Sequence, residues 1–353
     1  MPEKVLMKGN EAAAEAAILA GCRHFFGYPI TPQTEIAAHM SNRLPKIGGL
    51  YLQAESEIGA INMVLGASAA GVRSMTSSSS PGISLKAESL SYLAGSDLPA
   101  VMVNIQRAGP GLGGIQPSQA DYWQSTRAAG HGDYRMLVFA PSTVQEMVDL
   151  VVDAFYLSDK YRMPAMILSD GLLGQMMEPV VFDESKVKKA PEKPWATCGH
   201  GDKRKHNIIT SLFIDPYDLD AVVKARFERY EHIKANEQRY EEYCTDDADV
   251  IVVSYGASAR IVRSAVDSAR KEGIKAGMIR PISVWPFPDK PILSKADKAK
   301  AFLCVEMSMG QMVDDVRLAV NGKKDVKFFG RTGGVVPTPA EILEEIRKIN
   351  GGA

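Results

Sequence analysis

Up to about residue 183, short apolar runs alternate with longer stretches of helical spacing. The runs are Phe25-Phe26-Gly27-Tyr28, Gly49-Leu50-Tyr51-Leu52, Val101-Met102-Val103-Asn104-Ile105, Met136-Leu137-Val138-Phe139-Ala140 and Pro164-Ala165-Met166-Ile167-Leu168. Each is continuous in apolarity and short, which reads as a strand buried on both faces. Intervening segments such as Val144 to Ser158 are long enough for crossover helices. The pattern therefore predicts an α/β domain over 1–183, built on a mainly parallel sheet covered on both sides. Residues 184–245 break the alternation, with Lys, Pro and Gly from Lys186 to Lys205 and then dense charge from Leu219 to Tyr243. This stretch reads as a charged connector whose Arg226, Glu228, Arg229, Glu231, Lys234, Glu237 and Arg239 lie on a solvated helix with some ion pairs. Alternation resumes at Asp249-Val250-Ile251-Val252-Val253-Ser254, which predicts a second α/β domain over 246–353. Its helix runs from Ala257 to Lys271, its further strands are Ala276 to Ile279, Ala301 to Val305 and Val326 to Phe329, and Pro337-Thr338-Pro339 opens a last helix ending near Gly351.

Composition agrees with two soluble domains: 353 residues exceed one ordinary core, and 45% are hydrophobic. Forty-one basic residues against forty-two acidic ones leave a formal charge of -1, which provides no field for nucleic acid or an anionic membrane. No apolar run approaches the roughly 18 residues that a membrane span needs. The alanine-rich start after Lys4 and Lys8 is interrupted by Glu11 and Glu15, so it reads as a cytoplasmic start and not a signal peptide. Asn10 is expected to cap its helix, with Glu11 in the first turn. Cys22, Cys198, Cys244 and Cys304 are far apart, so no local zinc or iron–sulfur motif and no metal site is expected, and the thiols read as reduced.

Several polar residues stand at element ends. Taken alone, Thr31-Pro32 reads as an N-cap followed by a first-turn proline. Glu57 reads as an acidic residue at a helix start, and the Gly59, Ala60, Gly66, Ala67, Ala69, Ala70 and Gly71 that follow let that helix approach another surface closely. Arg107 follows a strong strand and precedes the open Ala108-Gly109-Pro110-Gly111-Leu112-Gly113-Gly114, which puts a guanidinium at the carboxyl edge where open α/β sheets bind ligands. Gly109-Pro110-Gly111 lacks the spacing of a nucleotide fingerprint. Asp121, His131 and Asp133 read as satisfied loop residues, and Ser77 to Ser80 as a polar strand-to-helix turn.

Three segments occur in a telling order: Gly27-Tyr28-Pro29-Ile30-Thr31-Pro32-Gln33-Thr34-Glu35, Ala54-Glu55-Ser56-Glu57-Ile58-Gly59-Ala60 and Ile105-Gln106-Arg107-Ala108-Gly109-Pro110-Gly111. Over nearly the whole chain the sequence resembles the pyrimidine-side, alpha-type subunit of the 2-oxoacid:ferredoxin oxidoreductases. Ser77-Ser78-Ser79-Ser80-Pro81-Gly82-Ile83-Ser84-Leu85-Lys86 looks most like the branched-chain, 2-ketoisovalerate type. The resemblance implies a thiamine-diphosphate-binding pyrimidine domain followed by a transketolase C-terminal-like domain. It implies that Glu57, and not Glu55, hydrogen-bonds the pyrimidine N1′, and that Tyr28, Pro29 and Ile30 help to bind the cofactor. Thr31 would lie beside the thiazolium and hydrogen-bond the substrate carboxylate; Arg107 would grip that carboxylate or contact coenzyme A.

The same resemblance defines what must come from elsewhere. A metal-bound diphosphate site is usually marked by Gly-Asp-Gly followed at a distance by Asn, and the nearest fragments here are Gly132-Asp133-Tyr134 and Ser169-Asp170-Gly171. Nor does the chain carry clustered cysteines, a flavin site or a dinucleotide fingerprint. The implied partners are a diphosphate-binding beta-type subunit holding Mg²⁺ and a [4Fe-4S] cluster, a ferredoxin-like subunit and a gamma-type subunit. The implied reaction takes 3-methyl-2-oxobutanoate and coenzyme A to an acyl-CoA and CO₂ with reduction of ferredoxin. Alternatives are 2-oxoglutarate, pyruvate or an aromatic 2-oxoacid in the same kind of complex, and a non-catalytic structural subunit. A transketolase-like transferase is disfavoured, because that class usually carries both cofactor halves in one chain.

Overall fold

A computed structural model of the chain describes residues 4–127 and 129–351; the outermost residues of the expected domains, 1–3 and 352–353, lie outside the described residues. The first half carries β1 (Val5–Lys8), β2 (His24–Gly27), β3 (Leu50–Gln53), β4 (Ser74–Ser78), β5 (Ala100–Gln106), β6 (Leu137–Phe139), β7 (Pro164–Asp170) and β8 (Met177–Val180). The second carries β9 (Tyr240–Tyr243), β10 (Val250–Val253), β11 (Ala276–Pro281), β12 (Ser283–Trp285), β13 (Ala301–Glu306) and β14 (Val326–Gly330). One sheet runs β12-β6-β7-β5-β4-β2-β3, parallel except for β12, and the other β14-β13-β10-β11-β9, parallel except for β9. β1 and β8 form a separate antiparallel ribbon. The fold is thus the expected pair of mainly parallel α/β units.

All seven residues of β5 and all seven of β7 are buried, which explains their unbroken apolar starts. Their ends are polar. Ser78 pairs with Asn104 in register, and Gln106 pairs with Asp170, so the carboxyl edge of the sheet is a row of buried polar side chains. Asp170 closes β7 by accepting from Leu172 N (2.8 Å) and Leu173 N (3.2 Å) at the start of the Gly171–Gln175 helix. Burial nonetheless raises its pKa to about 6.

Four local expectations are corrected. Asn10 lies inside the Gly9–Leu19 helix, and its amide donates to Pro32 O (2.7 Å) and Glu35 (2.8 Å) at the start of the next helix; Lys8 stands at the cap. Thr31-Pro32 forms a turn ahead of its helix, which begins at Thr34 behind Gln33. Ser77 and Ser78 belong to β4, which narrows the expected strand-to-helix turn to Ser79; Ser77 Oγ donates to Gln33, whereas Ser78 Oγ is buried without a partner. The charged stretch holds a helix, Pro216–Asn236, but not an entirely solvated one: buried Arg226 and its neighbour Arg229 pair with Asp97 at 3.2 and 2.5 Å, beside buried Tyr230 and Ile233. Its Glu228, Glu231 and Lys234 are exposed. Tyr240–Tyr243, from the same stretch, adds β9 to the second sheet, while β12 returns from the second half to pair with β6.

The two units are also pinned by Gln119, which is fully buried between them. Its backbone N–H donates to Met307 O (2.8 Å), its side chain donates to Tyr255 O (2.8 Å), and its Oε1 accepts from Met307 N and Ser258 Oγ (both 2.9 Å). No helix among the described residues is long and apolar enough to cross a membrane. Gln119→Leu leaves the buried Met307 N–H without an acceptor and takes one of two donors from Tyr255 O, so it is expected to lower unfolding stability by about 1–3 kcal/mol. Urea unfolding checks this; an unchanged midpoint would show that the interface relaxes around the loss.

Candidate functional site at the carboxyl edge

After β3 the chain turns through Ala54–Ser56, and Ser56 caps the Glu57–Ala69 helix by accepting from Gly59 N at 3.1 Å. This puts Glu57 in the first helical turn, 7% exposed, with a carboxylate that accepts no hydrogen bond from the described residues. Gly82, in the first turn of the Ser80–Gly95 helix, makes the space for it: a Cβ there would lie 2.7 Å from Glu57 Oε1 and 2.1 Å from Ser78 Oγ. One turn further, Lys86 is fully buried, with Nζ 3.1 Å from Thr76 Oγ1 and 3.4 Å from the Glu57 carbonyl. Burial lowers its pKa to about 8, against the opposing attraction of Glu57.

Arg107 follows β5 directly and is 7% exposed. Its Nη1 donates to Thr31 O at 3.0 Å and its Nη2 to Leu112 O at 3.3 Å, while Nε is buried without a partner. Thr31 and Arg107 are therefore in contact, through the Thr31 carbonyl, and the Thr31 side chain remains exposed. Tyr28 and Pro29 are exposed and Ile30 half-buried on the same loop. Gln33 fastens that loop: it donates to Tyr28 O (3.2 Å) and Ile30 O (3.1 Å) and accepts from Ser77 Oγ (2.5 Å). Glu57 does not touch Thr31 or Arg107. The Ser80–Lys86 turn joins them, since Ser80 Oγ accepts from Arg107 N (3.0 Å) while Gly82 lies against Glu57.

Asp121 braces this turn, accepting from Ser80 Oγ (2.7 Å) and Asn104 Nδ2 (2.9 Å); burial raises its pKa although both bonds oppose the shift. His131 and Asp133 are exposed loop residues. Ser78 Oγ, Ser79 Oγ and Ser169 Oγ join Arg107 Nε as buried polar atoms without partners along this edge. The edge thus presents a near-buried acid beyond β3, a constrained guanidinium beyond β5, and unpaired hydroxyls at the ends of β4 and β7.

Residues 15–245 match the family model described as pyruvate flavodoxin/ferredoxin oxidoreductase, thiamine diphosphate-binding, and residues 248–342 match core domain II of pyruvate:ferredoxin oxidoreductase. The chain belongs to the 2-oxoacid:ferredoxin oxidoreductase family, as an alpha-type subunit. It is 50% identical over 346 residues to the ketoisovalerate oxidoreductase subunit VorB of Methanothermobacter thermautotrophicus, covering 98% of both chains. The 2-oxoglutarate:ferredoxin oxidoreductase of Magnetococcus marinus, solved with 2-oxoglutarate, coenzyme A and succinyl-CoA bound, superposes with a TM-score of 0.89 at 27% identity. That match covers 99% of this chain and spans 65% of the Magnetococcus one. A split-gene transketolase, an inactive beta4 tetramer, shares the fold at a TM-score of 0.62 and 14% identity, over 98% of each chain.

The thiamine-diphosphate-binding family domain spans this edge, where Glu57 offers a carboxyl that accepts no hydrogen bond from the described residues and that Gly82 leaves room for. Among the described residues no group of three or more His, Cys, Asp or Glu side chains is placed to hold a metal ion. Sequence reasoning passed over Gln33 and Lys86. Gln33 carried a faint signal, an amide at a helix entry where a shorter capping side chain is usual. Lys86 carried none beyond its place in the serine-rich segment, since helical spacing does not tell a buried lysine from a surface one.

A lysine buried at a cost to stability invites a direct measurement. Its pKa lies below the ordinary value of 10.5, so the unfolded chain binds the proton more tightly and stability rises as pH climbs from about 8 to 10.5. Lys86→Met is therefore expected to be more stable than the parent by up to about 3 kcal/mol at pH 7, falling to about half of that at pH 9.5. Urea unfolding at the two pH values reads the difference; a variant less stable at both would show that the ammonium is better compensated than its two contacts indicate.

Proposed function

We propose that this chain is the pyrimidine-side subunit of a complex that oxidatively decarboxylates 3-methyl-2-oxobutanoate to the acyl-CoA and CO₂ with reduction of ferredoxin. The observation that carries the reading is Glu57 at the sheet's carboxyl edge, a near-buried residue whose carboxyl accepts no hydrogen bond from the described residues, in a chain 50% identical to a ketoisovalerate oxidoreductase subunit. Thiamine diphosphate, when bound, supplies the nucleophilic carbon that attacks the 2-oxoacid carbonyl and takes up the electrons left by the departing CO₂. Glu57 holds the pyrimidine N1′ by a hydrogen bond, and its fixed place in a capped first turn keeps that contact pre-organised. Tyr28 and Pro29, exposed, and Ile30, half-buried, would help to hold the cofactor from the same loop.

Arg107 orients the substrate carboxylate together with the Thr31 hydroxyl. Two of its five N–H groups are spent on Thr31 O and Leu112 O, which fixes the guanidinium plane and leaves donors for an anion. The diphosphate, Mg²⁺ and a [4Fe-4S] cluster belong to a beta-type subunit, with a ferredoxin-like and a gamma-type subunit completing a cytoplasmic assembly. The partner's cluster would supply the one-electron route to ferredoxin, and coenzyme A would be the acyl acceptor.

Glu57→Gln keeps shape but removes the acid, and is expected to leave assembly intact while lowering proton exchange at thiamine C2 by about 10²–10⁴-fold; Glu55→Gln should be milder. NMR exchange rates close to the parent's would sink the assignment. Arg107→Lys retains charge without the planar fork, so kcat/KM for the 2-oxoacid is expected to fall by about 10–100-fold, equivalent to 1–3 kcal/mol, with little change in melting temperature. Unaltered constants for both 2-oxoacid and coenzyme A would leave Arg107 a purely structural role. The substrate is settled by steady-state assay of the assembled complex with a 2-oxoacid panel, in which 3-methyl-2-oxobutanoate is expected to lead and a preference for 2-oxoglutarate would replace it.

A further inference from the structure

Beside Thr31 a cavity of about 620 Å³ opens between the 115–117 loop, the start of the Gly171–Gln175 helix and the loop carrying Gly334 and Val336. Its walls are mainly apolar: Pro32, Ile115, Pro117, Leu172, Met176 and Val336. Thr31, Gln116 and Gln175 supply its polar side chains, and no charged residue lines it. Gln175 is already engaged, donating to Glu35 at 2.9 Å and to Pro32 O at 3.3 Å and accepting from Lys8 at 3.1 Å. Lys8, the cation this amide touches, also faces Glu35 at 3.4 Å.

We infer that this cavity is the subsite for the aliphatic side chain of the 2-oxoacid, and that Leu172, Met176 and Val336 set the substrate preference. The inference rests on the function proposed above and deepens it. Thr31 belongs to both places: its carbonyl holds the Arg107 guanidinium, and the residue lines the cavity. A 2-oxoacid anchored by its carboxylate at Arg107 and Thr31 therefore has its other end beside this opening. Each buried methylene or methyl favours binding by roughly 0.8 kcal/mol. A second carboxylate in the same place would lose its water and meet no charged partner, and that loss discriminates far more strongly than one methylene does. Uncharged walls thus select branched aliphatic acids and reject 2-oxoglutarate. The volume exceeds an isopropyl group, so longer branched 2-oxoacids enter as well.

The test uses the assembled complex carrying Leu172→Lys, with Leu172→Met as a volume-conserving control, and reads kcat/KM for 3-methyl-2-oxobutanoate and for 2-oxoglutarate together with KM for coenzyme A. Leu172→Lys is expected to lower the ratio of the first acid to the second by at least about tenfold, with KM for coenzyme A within about twofold of the parent's and the control ratio unchanged. An unchanged ratio in a Leu172→Lys complex that assembles and loads thiamine normally overturns the subsite. So does a rise in KM for coenzyme A at constant ratio, which assigns the cavity to the coenzyme's pantetheine arm. If Leu172→Lys fails to assemble, Met176→Ala takes its place, with a shift of preference from 3-methyl-2-oxobutanoate toward 4-methyl-2-oxopentanoate as the supporting result and no shift as the overturning one. The two ideas fail separately: a parent complex that prefers 2-oxoglutarate overturns the functional reading, whereas the variant ratio judges the subsite whichever acid the parent prefers.

Discussion

The geometry of the active edge depends on the chain between Arg107 and Asp121 being held at both ends. At one end Arg107 leaves β5 with its backbone N–H on Ser80, and at the other Asp121 binds Ser80 and Asn104. Between them Gln119 reaches into the second unit, bonds Tyr255 O and Ser258 Oγ, and supplies the acceptor for the buried Met307 N–H. An open loop containing Gly109, Gly111, Gly113 and Gly114 has little stiffness of its own. Its functional guanidinium is placed by anchors on both sides.

That arrangement concentrates unfavourable burial where chemistry is expected. Lys86 keeps an ammonium out of water with a hydroxyl and a carbonyl for company, and Glu57 keeps a carboxylate in a near-buried position with no donor among the described residues. Asp121 and Asp170 are raised in pKa by burial despite the hydrogen bonds they accept. A sheet edge optimised for stability would replace such groups with apolar or fully satisfied ones. Their retention is the physical mark of a place shaped for a ligand.

Much of the framework was legible because buried parallel strands write themselves as uninterrupted apolar runs. Ala100–Gln106, Pro164–Asp170 and Val250–Val253 lie within a residue or two of where the pattern puts them. β4 was hidden because its sequence, Ser-Met-Thr-Ser-Ser, is polar although buried: Ser74, Thr76 and Ser77 find partners in other elements, and Ser78 Oγ has none. The burial of Arg226 was equally invisible, since its partner Asp97 is more than a hundred residues distant. At the site, motif order brought Thr31 and Arg107 to notice, and the structure joins them by a backbone carbonyl that no side-chain reasoning could supply. Thr31 itself is no helix cap, because Gln33 takes the entry position and ties the loop to β4.

The exchange of strands between the halves has a consequence for how this polypeptide can be divided. β12 covers the free edge of β6, and β9 borders the second sheet although it precedes the first of that sheet's parallel strands. A cut after residue 245 would strip the first sheet of its outer strand and leave β6 with exposed amides and carbonyls, a ready template for another chain. It would also carry β9 away from β11. The halves are separate as folds yet interlaced as sheets, so each acts as an intramolecular guard against the other's aggregation.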